Sequence, residues 1–414
     1  TYSRPVTLAT AFSLGPIGAR PALMKGPTDL RYVHQNEIID YFYEIVILNR
    51  HYYLSLFYKS FFEFPDPRDF KWSGDIRIKT PSVTNKKNSI NVNLQDLNRS
   101  LSIQKNDKSR IMVRNLFHKE ILDETKVTNT VKAKVSFWQT LDNLYNHLKL
   151  EDRFFAPSSI GLFLRDKNQK GKNNIITPKK GKEVNYNNLF YLCQQYQPKA
   201  SILNPYSVHW FLNNIFSGKR LFTPVLSWCS YLIAFMHSDN WTDYVGVDVM
   251  PKVCQKAAHL ADWYHQLDPQ EFGHKKVEIL CQPSESLLKD TKFLKKYDKW
   301  FDSILVCPPY WDMEIYQDGE QSLKNYPVYE DWLEKYWHQT VQVCAKVLKR
   351  GGLFGVIAND YYSLDGIHYP LPKDFDSFTS KYFKLVETYF LYNRTSPLRV
   401  NHKDRTERLF VYTI

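Results

Sequence analysis

From about residue 200 onward, short apolar runs alternate with longer segments in which apolar residues recur at helical spacing. The runs have the length of strands, and the segments between them have the length of helices. Strands and helices that alternate in this way form a mostly parallel sheet with helices on its faces. The last two runs lie close together along the chain, which favours an antiparallel edge. The sequence therefore predicts an α/β fold for residues 200–414.

In open sheets of this kind, ligands bind beyond the carboxyl ends of the strands, so functional residues are expected just after the apolar runs. The predicted strands are Pro224–Leu226, Tyr244–Val249, Val277–Cys281, Phe301–Val306, Leu353–Ile357, Leu385–Tyr392 and Leu409–Thr413. The predicted helices between them are Lys252–Gln266, Tyr329–Leu348 and Asp374–Phe383.

Residues 1–199 do not show this alternation of apolar runs and helical segments. Residues 1–30 show little periodicity and predict an extended arm, and residues 31–199 predict a basic, aromatic-rich domain of mixed α+β type. The stretch 165–182 carries seven basic residues and one acid, and its glycines and proline predict a loop. This loop is either a solvated face or a flexible segment that contacts phosphates, which would make binding strongly dependent on salt.

The composition favours a polyanionic partner. The chain has 55 Lys+Arg against 43 Asp+Glu, a formal charge of +12, and 15% of its residues are aromatic. Cations suit phosphates and rings suit bases, although a soluble protein can also simply be basic. No stretch approaches 18 apolar residues and the first residues lack the apolar core of a signal peptide, so we expect an intracellular, cytoplasmic protein without a membrane partner. The six cysteines lie 25 to 37 residues apart, which predicts free thiols and no metal.

The strongest local signal is an apolar strand, Phe301–Val306, that runs directly into Cys307-Pro308-Pro309-Tyr310. Two prolines fix the backbone and remove two N–H donors, so the carbonyl groups around them lack local partners. An aromatic ring follows at once. Carbonyl acceptors beside a stacking ring are what an exocyclic amine on a planar base requires. The alternative is a rigid turn with a tyrosine that only packs.

This run resembles the (Asp/Asn/Ser)-Pro-Pro-Tyr motif of S-adenosylmethionine-dependent amino-methyltransferases, which methylate N6 of adenine or N4 of cytosine in DNA. The longer string PPYWDMEIYQDGEQSLKNYPVYEDW resembles a phage, bacterial and large-virus branch of these enzymes. Leu348–Phe354 is similar to their Leu-Lys-x-Gly-Gly turn, and residues 394–412 resemble their closing hairpin. The resemblance covers about residues 200–414. It implies a Rossmann-like class I methyltransferase sheet, S-adenosyl-L-methionine as cofactor, and DNA or RNA as partner.

The same resemblance implies roles for individual residues. Catalysis would fall to Cys307, Pro308, Pro309 and Tyr310. An acid at position 248 suits the two hydroxyls of an adenosyl ribose, or it caps the following helix. The cofactor-binding candidates are Asp248, Ser227, Trp228, Asn204, Pro205, Ser284 and Glu285. The substrate-binding candidates are Trp311, Tyr316, Arg394, Arg399, Lys403, Arg405, Lys170, Lys172, Lys179 and Lys180.

Two positions depart from the family pattern. The turn Ser227–Ser230 contains no glycine, and Cys307 replaces Asp, Asn or Ser although a thiol is a weak hydrogen-bonding group. These departures keep open a degenerate methyltransferase fold that binds nucleic acid or partners another subunit, and an RNA base methyltransferase is a third possibility. A cysteine nucleophile of the C5-cytosine type is disfavoured, because the Pro-Cys order of those enzymes is reversed here.

Overall fold

One seven-stranded sheet organises residues 201–414 of the computed structural model, which describes residues 30, 37–38, 64–72, 108–127, 200–363, 366–391 and 407–414. Its strands are β1 (Arg220–Thr223), β2 (Asp243–Asp248), β3 (Lys276–Cys281), β4 (Phe301–Val306), β5 (Leu348–Ala358), β6 (Lys384–Leu391) and β7 (Glu407–Thr413). Their order across the sheet is β6-β7-β5-β4-β1-β2-β3. Strand β7 is antiparallel to both neighbours, whereas β5, β4, β1, β2 and β3 are parallel. The predicted α/β sheet with an antiparallel edge is therefore confirmed.

Helices connect these strands. The longer ones are α1 (Pro205–Asn214), α2 (Ser230–Met236), α3 (Pro251–Leu267), α4 (Thr291–Lys296), α5 (Gln339–Val347) and α6 (Leu371–Thr379). Shorter helical pieces are Pro67–Asp69, Pro269–Phe272, Ser284–Leu288, Ser322–Asn325 and Tyr329–Trp332. A π-helical segment, Leu333–His338, joins the last of these to α5. Residues Tyr361–Tyr362 and His368–Tyr369 form a small antiparallel pair, and Glu314–Ile315 is a two-residue strand.

Strand β4 lies at the centre of the hydrophobic core. All six of its residues are buried, and it pairs in parallel with β1 on one side and β5 on the other. Ile304 and Val306 belong to a buried cluster with Phe222 of β1 and with Trp332 and Trp337 of the helix after the motif. A strand covered on both faces needs a nearly continuous apolar run, which is why the sequence marks β4 so clearly.

Three predicted boundaries were wrong. The strand predicted at Pro224–Leu226 was misplaced as a whole: β1 spans Arg220–Thr223 and ends before Pro224, because proline cannot donate to the hydrogen-bond ladders on either side of a central strand. Helix α6 spans Leu371–Thr379 instead of Asp374–Phe383, since a proline is tolerated in a first turn whose N–H groups are unpaired anyway. Strand β5 begins at Leu348, five residues earlier than predicted.

The chain divides into two compact units, residues 1–64 with 114–200 and residues 65–113 with 201–414. The first unit contains a π-helical segment, Glu120–Glu124, followed by a strand of two residues, 126–127. Ile121 and Leu122 in this segment and Phe117 before it are buried. A helix spans Lys108–Leu116. Nearly all of the predicted arm and the whole loop 165–182 lie outside the described residues.

In the second unit, the ring of Trp72 stacks on His209 of α1 at 4.4 Å and lies 4.9 Å from the ring of His237. Residues 64–72 precede the first strand of the sheet by more than a hundred positions in the sequence. The ring contacts with His209 and His237 nevertheless hold Trp72 against the helices that flank the sheet. Within the described ranges, no helix is long and apolar enough to cross a membrane.

Candidate active site

The candidate catalytic and cofactor residues follow strands that end at one edge of the sheet. Because β2 and β4 are parallel members of the same sheet, Asp248 at the end of β2 and Cys307 after β4 share this edge. Strand β7 runs in the opposite direction and pairs Arg408 with Ala358 at the end of β5, so it brings Glu407 to the same edge. This is the edge at which open α/β sheets bind ligands.

The turn after β1 has an unusual backbone. Ser227, Trp228 and Cys229 all adopt left-handed conformations, with φ of 48°, 54° and 60°. In the described ranges only Lys299 joins them as a non-glycine residue with positive φ. The left-handed region costs roughly 1–2 kcal/mol per residue when a Cβ is present. The turn therefore takes a shape that glycines would adopt freely, and it does so under strain of the kind that clusters at functional sites.

Residues 201–204 hold this turn in place. The Trp228 indole Nε1 donates a hydrogen bond to the Ser201 carbonyl at 3.1 Å, and the Ser230 hydroxyl donates to the Leu203 carbonyl at 2.5 Å. Asn204 caps α1, its side-chain oxygen accepting from the Tyr206 N–H at 2.9 Å. The Nδ2 of Asn204 is buried and has no partner among the described residues. A buried amide donor without a partner fits a ligand that accepts a hydrogen bond.

Asp248 is partly buried beside the same turn. Its carboxylate accepts from the Met250 N–H at 3.1 Å and from the Leu226 N–H at 3.4 Å. Burial raises the pKa of Asp248 to about 6, and repulsion from Asp318 acts in the same direction. The N-cap residue of α3 is Met250, so the alternative role of Asp248 as the helix cap is wrong.

The two polar residues after β3 lie in different surroundings. The Ser284 hydroxyl is buried and hydrogen-bonds the Thr340 hydroxyl of α5 at 3.0 Å, so it serves helix packing. Glu285 is also buried. Burial raises its pKa, a hydrogen bond from the Tyr326 hydroxyl opposes that rise, and Glu320 adds repulsion. Of this pair, Glu285 is the side chain in contact with the segment that follows the motif.

The Cys307-Pro308-Pro309-Tyr310 motif begins directly after β4. Pro308 is buried, and the other three residues are partly buried. Burial raises the pKa of the Cys307 thiol well above its usual value, and repulsion from Glu407 and Glu314 raises it further. The thiol is therefore protonated at neutral pH, which disfavours a nucleophilic cysteine.

Tyr310 leads into a wall of aromatic rings. Its ring centroid is 5.8 Å from that of Tyr361, which stacks on Tyr369 at 4.9 Å. The Trp311 ring lies 5.4 Å from Tyr369 and 5.5 Å from Tyr329. A hydrogen bond from the Asn359 backbone reaches the Tyr310 hydroxyl and opposes the rise in its pKa that burial causes. Rings of this kind stack on nucleic-acid bases irrespective of base type.

The segment 312–321 turns back toward the cofactor side. Tyr316 donates its hydroxyl hydrogen to the Glu314 carboxylate, and its ring lies 5.8 Å from that of Trp228 in the strained turn. Tyr316 thus contacts the predicted cofactor site and not the aromatic wall. One carboxylate oxygen of Asp318 is buried and, among the described residues, has no hydrogen-bond partner. Neither Asp318 nor the neighbouring Glu320 carried any signal in the sequence.

The basic substrate-binding candidates are not described. Arg394, Arg399, Lys403, Arg405, Lys170, Lys172, Lys179 and Lys180 lie outside the described residues. The sequence nevertheless locates the charge. Residues 201–414 contain 24 Lys+Arg and 25 Asp+Glu, a formal charge of −1, and residues 1–200 contain 31 and 18, which gives +13. The excess of cations therefore belongs to residues 1–200, whereas the charged residues described above at the edge of the sheet with the motif are mainly carboxylates.

Comparisons with known proteins give only distant structural likenesses. No protein family and no curated protein matches the chain. Among solved structures, the chain is similar to TrmN from Thermus thermophilus, with 12% identity over 51% of this chain and 49% of that one and a TM-score of 0.33. A protein described as a predicted O-methyltransferase, from Agrobacterium tumefaciens, is 10% identical over 51% of this chain and 80% of that one, with a TM-score of 0.34. A methyltransferase from Methanosarcina mazei is 11% identical over 51% of this chain and 98% of that one, with a TM-score of 0.32.

The matched region spans about half the length of TrmN. What decides the fold is the strand order β6-β7-β5-β4-β1-β2-β3 with β7 alone antiparallel to its neighbours. The chain has a class I methyltransferase fold. At identities of 10–12% and TM-scores of 0.32–0.34 these likenesses carry no argument about function, so the reaction and its substrate must be argued from the site.

Proposed function

We propose that this protein is an S-adenosyl-L-methionine-dependent methyltransferase that acts on an exocyclic amine of a DNA base, N6 of adenine or N4 of cytosine. The observation that carries the proposal is the meeting of three features at one edge of a class I methyltransferase sheet. These are the strained turn at Ser227–Cys229, the carboxylate of Asp248, and the Cys307–Tyr310 motif with its wall of rings.

The residues at this edge fit the cofactor. Asp248 would accept hydrogen bonds from the ribose hydroxyls, Glu285 would face the adenine, and the Nδ2 of Asn204 would donate to the carboxylate of the methionine part. Support comes from that buried Nδ2, which has no partner in the described part of the chain. When bound, S-adenosyl-L-methionine supplies a methyl group activated by its sulfonium charge. The carboxylates at this edge favour a cationic ligand electrostatically.

The target amine would be held by the motif. The Pro308 carbonyl and the Cys307 sulfur would accept its hydrogens, which orients the nitrogen lone pair toward the methyl group. Tyr310 would stack on the base, and the neighbouring rings of Trp311 and Tyr361 would extend that surface. Because the amine of a paired base is inside the duplex, the base must be flipped out or come from a single strand.

The phosphates of the DNA would be bound by residues 1–200, which contain the excess of positive charge in the chain. If these residues bind the DNA and the edge of the sheet binds the cofactor, DNA binding should depend steeply on salt and cofactor binding should depend on it little. RNA offers the same exocyclic amines and phosphates, so an RNA base is the nearest alternative target. The location of the protein would follow that of its nucleic acid.

A second candidate is a catalytically degenerate subunit that binds nucleic acid or a partner protein. Two observations favour it: side chains stand where glycines would let a cofactor approach the turn, and the motif begins with a thiol instead of a carboxylate, amide or hydroxyl group. This role requires no methyl transfer.

The proposal is tested in two steps. Calorimetry with S-adenosyl-L-methionine should detect binding, and no binding at millimolar cofactor would eliminate the enzyme. Incubation of the full chain with methyl-labelled cofactor and DNA or RNA, followed by nucleoside mass spectrometry, then identifies the product. We expect N6-methyladenine or N4-methylcytosine in DNA, and 5-methylcytosine would contradict the site assignment.

A pair of variants checks the site. Tyr310→Ala should abolish product while leaving cofactor affinity within about twofold, because the ring stacks on the base and not on the cofactor. Tyr362→Ala is the matched control, since Tyr362 is 41% exposed and is paired with His368 next to the wall. Activity that survives Tyr310→Ala would refute the assignment.

A further inference from the structure

Tyr336 carries a buried hydroxyl group. The residue is 4% exposed, and its oxygen has no hydrogen-bond partner among the described residues. Leaving a buried polar group unsatisfied costs about 1–3 kcal/mol, so native structures seldom retain one without a reason. The absence of a partner points to a ligand that completes the hydrogen bond.

Tyr336 lies among the strand ends of the candidate site. Its side chain belongs to the same buried cluster as Val247, Leu287 and Val306, which are one or two positions from Asp248, Glu285 and Cys307. Burial raises the pKa of the Tyr336 hydroxyl, and Glu285, Asp248 and Cys307 raise it further. The raised pKa keeps the phenol neutral and able to donate a hydrogen bond.

The backbone around Tyr336 departs from a regular α-helix. It lies in the π-helical segment Leu333–His338, between two stretches of α-helix. A π-helical turn contains an additional residue, which changes the direction of the side chains relative to a regular helix, and such turns are frequent at functional sites. The ring itself is anchored by Trp332, with centroids 5.2 Å apart. The ring is thus held in place within the buried cluster at the strand ends.

We propose that Tyr336 binds the adenosine part of the cofactor, with its hydroxyl hydrogen-bonding the ribose or adenine between Asp248 and Glu285. This inference rests on the proposed function. A phenol beside two carboxylates suits adenosine, because nucleoside hydroxyls and the adenine amine can donate to the carboxylates while ring and ribose acceptors receive the phenol hydrogen. It adds a cofactor-binding residue from the helix after the motif, where the sequence pattern indicates only core packing.

The test is Tyr336→Phe, which removes one oxygen and keeps the ring. Calorimetry of the full chain should show affinity about tenfold weaker for both S-adenosyl-L-methionine and S-adenosyl-L-homocysteine, because the two share the adenosine part. Without ligand, the variant should unfold at the same or higher urea concentration, since an unsatisfied hydroxyl has been removed.

Tyr264→Phe is the matched control. Tyr264 is also fully buried, but its hydroxyl bonds the ring nitrogen of His237 at 3.2 Å, away from the strand ends. This control should lose stability and keep its cofactor affinity. Equal affinity of wild type and Tyr336→Phe would overturn the inference and leave the proposed function standing. A loss confined to the sulfonium compound would overturn the adenosine assignment, and a wild-type chain that binds neither compound would overturn both.

Discussion

Gly319 lies so close to Val249 that a Cβ atom at position 319 would overlap the carbonyl oxygen of Val249. The backbone of Gly319 also has a φ of +74°, which side chains rarely adopt. The segment that follows the Cys307–Tyr310 motif is thus seated directly on the residue after Asp248. This contact links the predicted base-binding motif to the predicted cofactor site.

Gly319→Ala should therefore weaken cofactor binding. The Cβ must displace the segment from the end of β2, which moves Asp318 relative to Asp248. We expect affinity for S-adenosyl-L-methionine to fall tenfold or more in calorimetry. Gly351→Ala is the control, because Gly351 has a φ of +75° but a Cβ there would have no neighbouring atom within 4 Å, so the substitution imposes strain without overlap. Equal affinities in the two variants would show that the contact with Val249 has no role in binding.

The strained turn leads to a second prediction. Ser227→Gly relieves a left-handed residue at φ 48°, so the free energy of unfolding should rise by about 0.5–1 kcal/mol in urea titrations. Lys299→Gly is matched to it, since Lys299 has a φ of 49° and is exposed. Both variants should gain stability, and only Ser227→Gly should change cofactor affinity. A loss of stability in Ser227→Gly would mean that side-chain contacts of the serine outweigh the strain.

The parts of this architecture that local pattern determines could be predicted from the sequence. Strand β4 has the same bounds as the apolar run 301–306, because its burial on both faces demands that run. Helix α3 and strands β2 and β3 agree within one residue. The position of Asp248 at a strand end followed from the same patterns.

The parts that depend on contacts distant in sequence could not be predicted. Gly319 and Val249 are seventy positions apart, and no local pattern indicates that they touch. Tyr336 lies in an apolar helical pattern typical of a core helix, and no local pattern indicates that it packs with residues next to the ends of three strands. The sequence after β1 contains no glycine, so nothing in it indicated that three successive residues there adopt a left-handed backbone.

The residue at the start of the motif gives a third prediction. Burial raises the pKa of the Cys307 thiol, and the charges of Glu407 and Glu314 raise it further, so a carboxylate at this position would be buried and repelled by two like charges. Cys307→Asp should lower the free energy of unfolding at pH 7.5 by about 1 kcal/mol or more, and the loss should shrink toward pH 5 as carboxylates become protonated. Cys307→Ser should be nearly neutral for stability and should retain or increase methyl transfer, because a hydroxyl accepts hydrogen bonds better than a thiol. A stable and equally active Cys307→Asp would show that the glutamates do not act on this position.

Asp248 gives a fourth prediction, because its effect on stability and its proposed role in cofactor binding oppose each other. Its pKa is about 6 in the folded chain against an ordinary value of 3.8, so the folded state binds the proton more tightly than the unfolded state does. This contribution to stability is complete below pH 3.8 and is lost as the pH rises through 6. Since water reaches part of the side chain, we expect the loss to be about 1–2 kcal/mol.

Asp248→Asn removes the titrating group. The difference in free energy of unfolding, variant minus wild type, should therefore increase by about 1–2 kcal/mol between pH 4 and pH 7.5. Its affinity for S-adenosyl-L-methionine should fall at least tenfold at pH 7.5, because a carboxylate accepts hydrogen bonds from ribose hydroxyls more strongly than an amide does. Wild-type affinity should itself decline below pH 6, whereas that of the variant should not. Parallel pH profiles of stability in the two proteins would mean that Asp248 does not titrate in this range, and parallel profiles of affinity would mean that it does not hold the ribose.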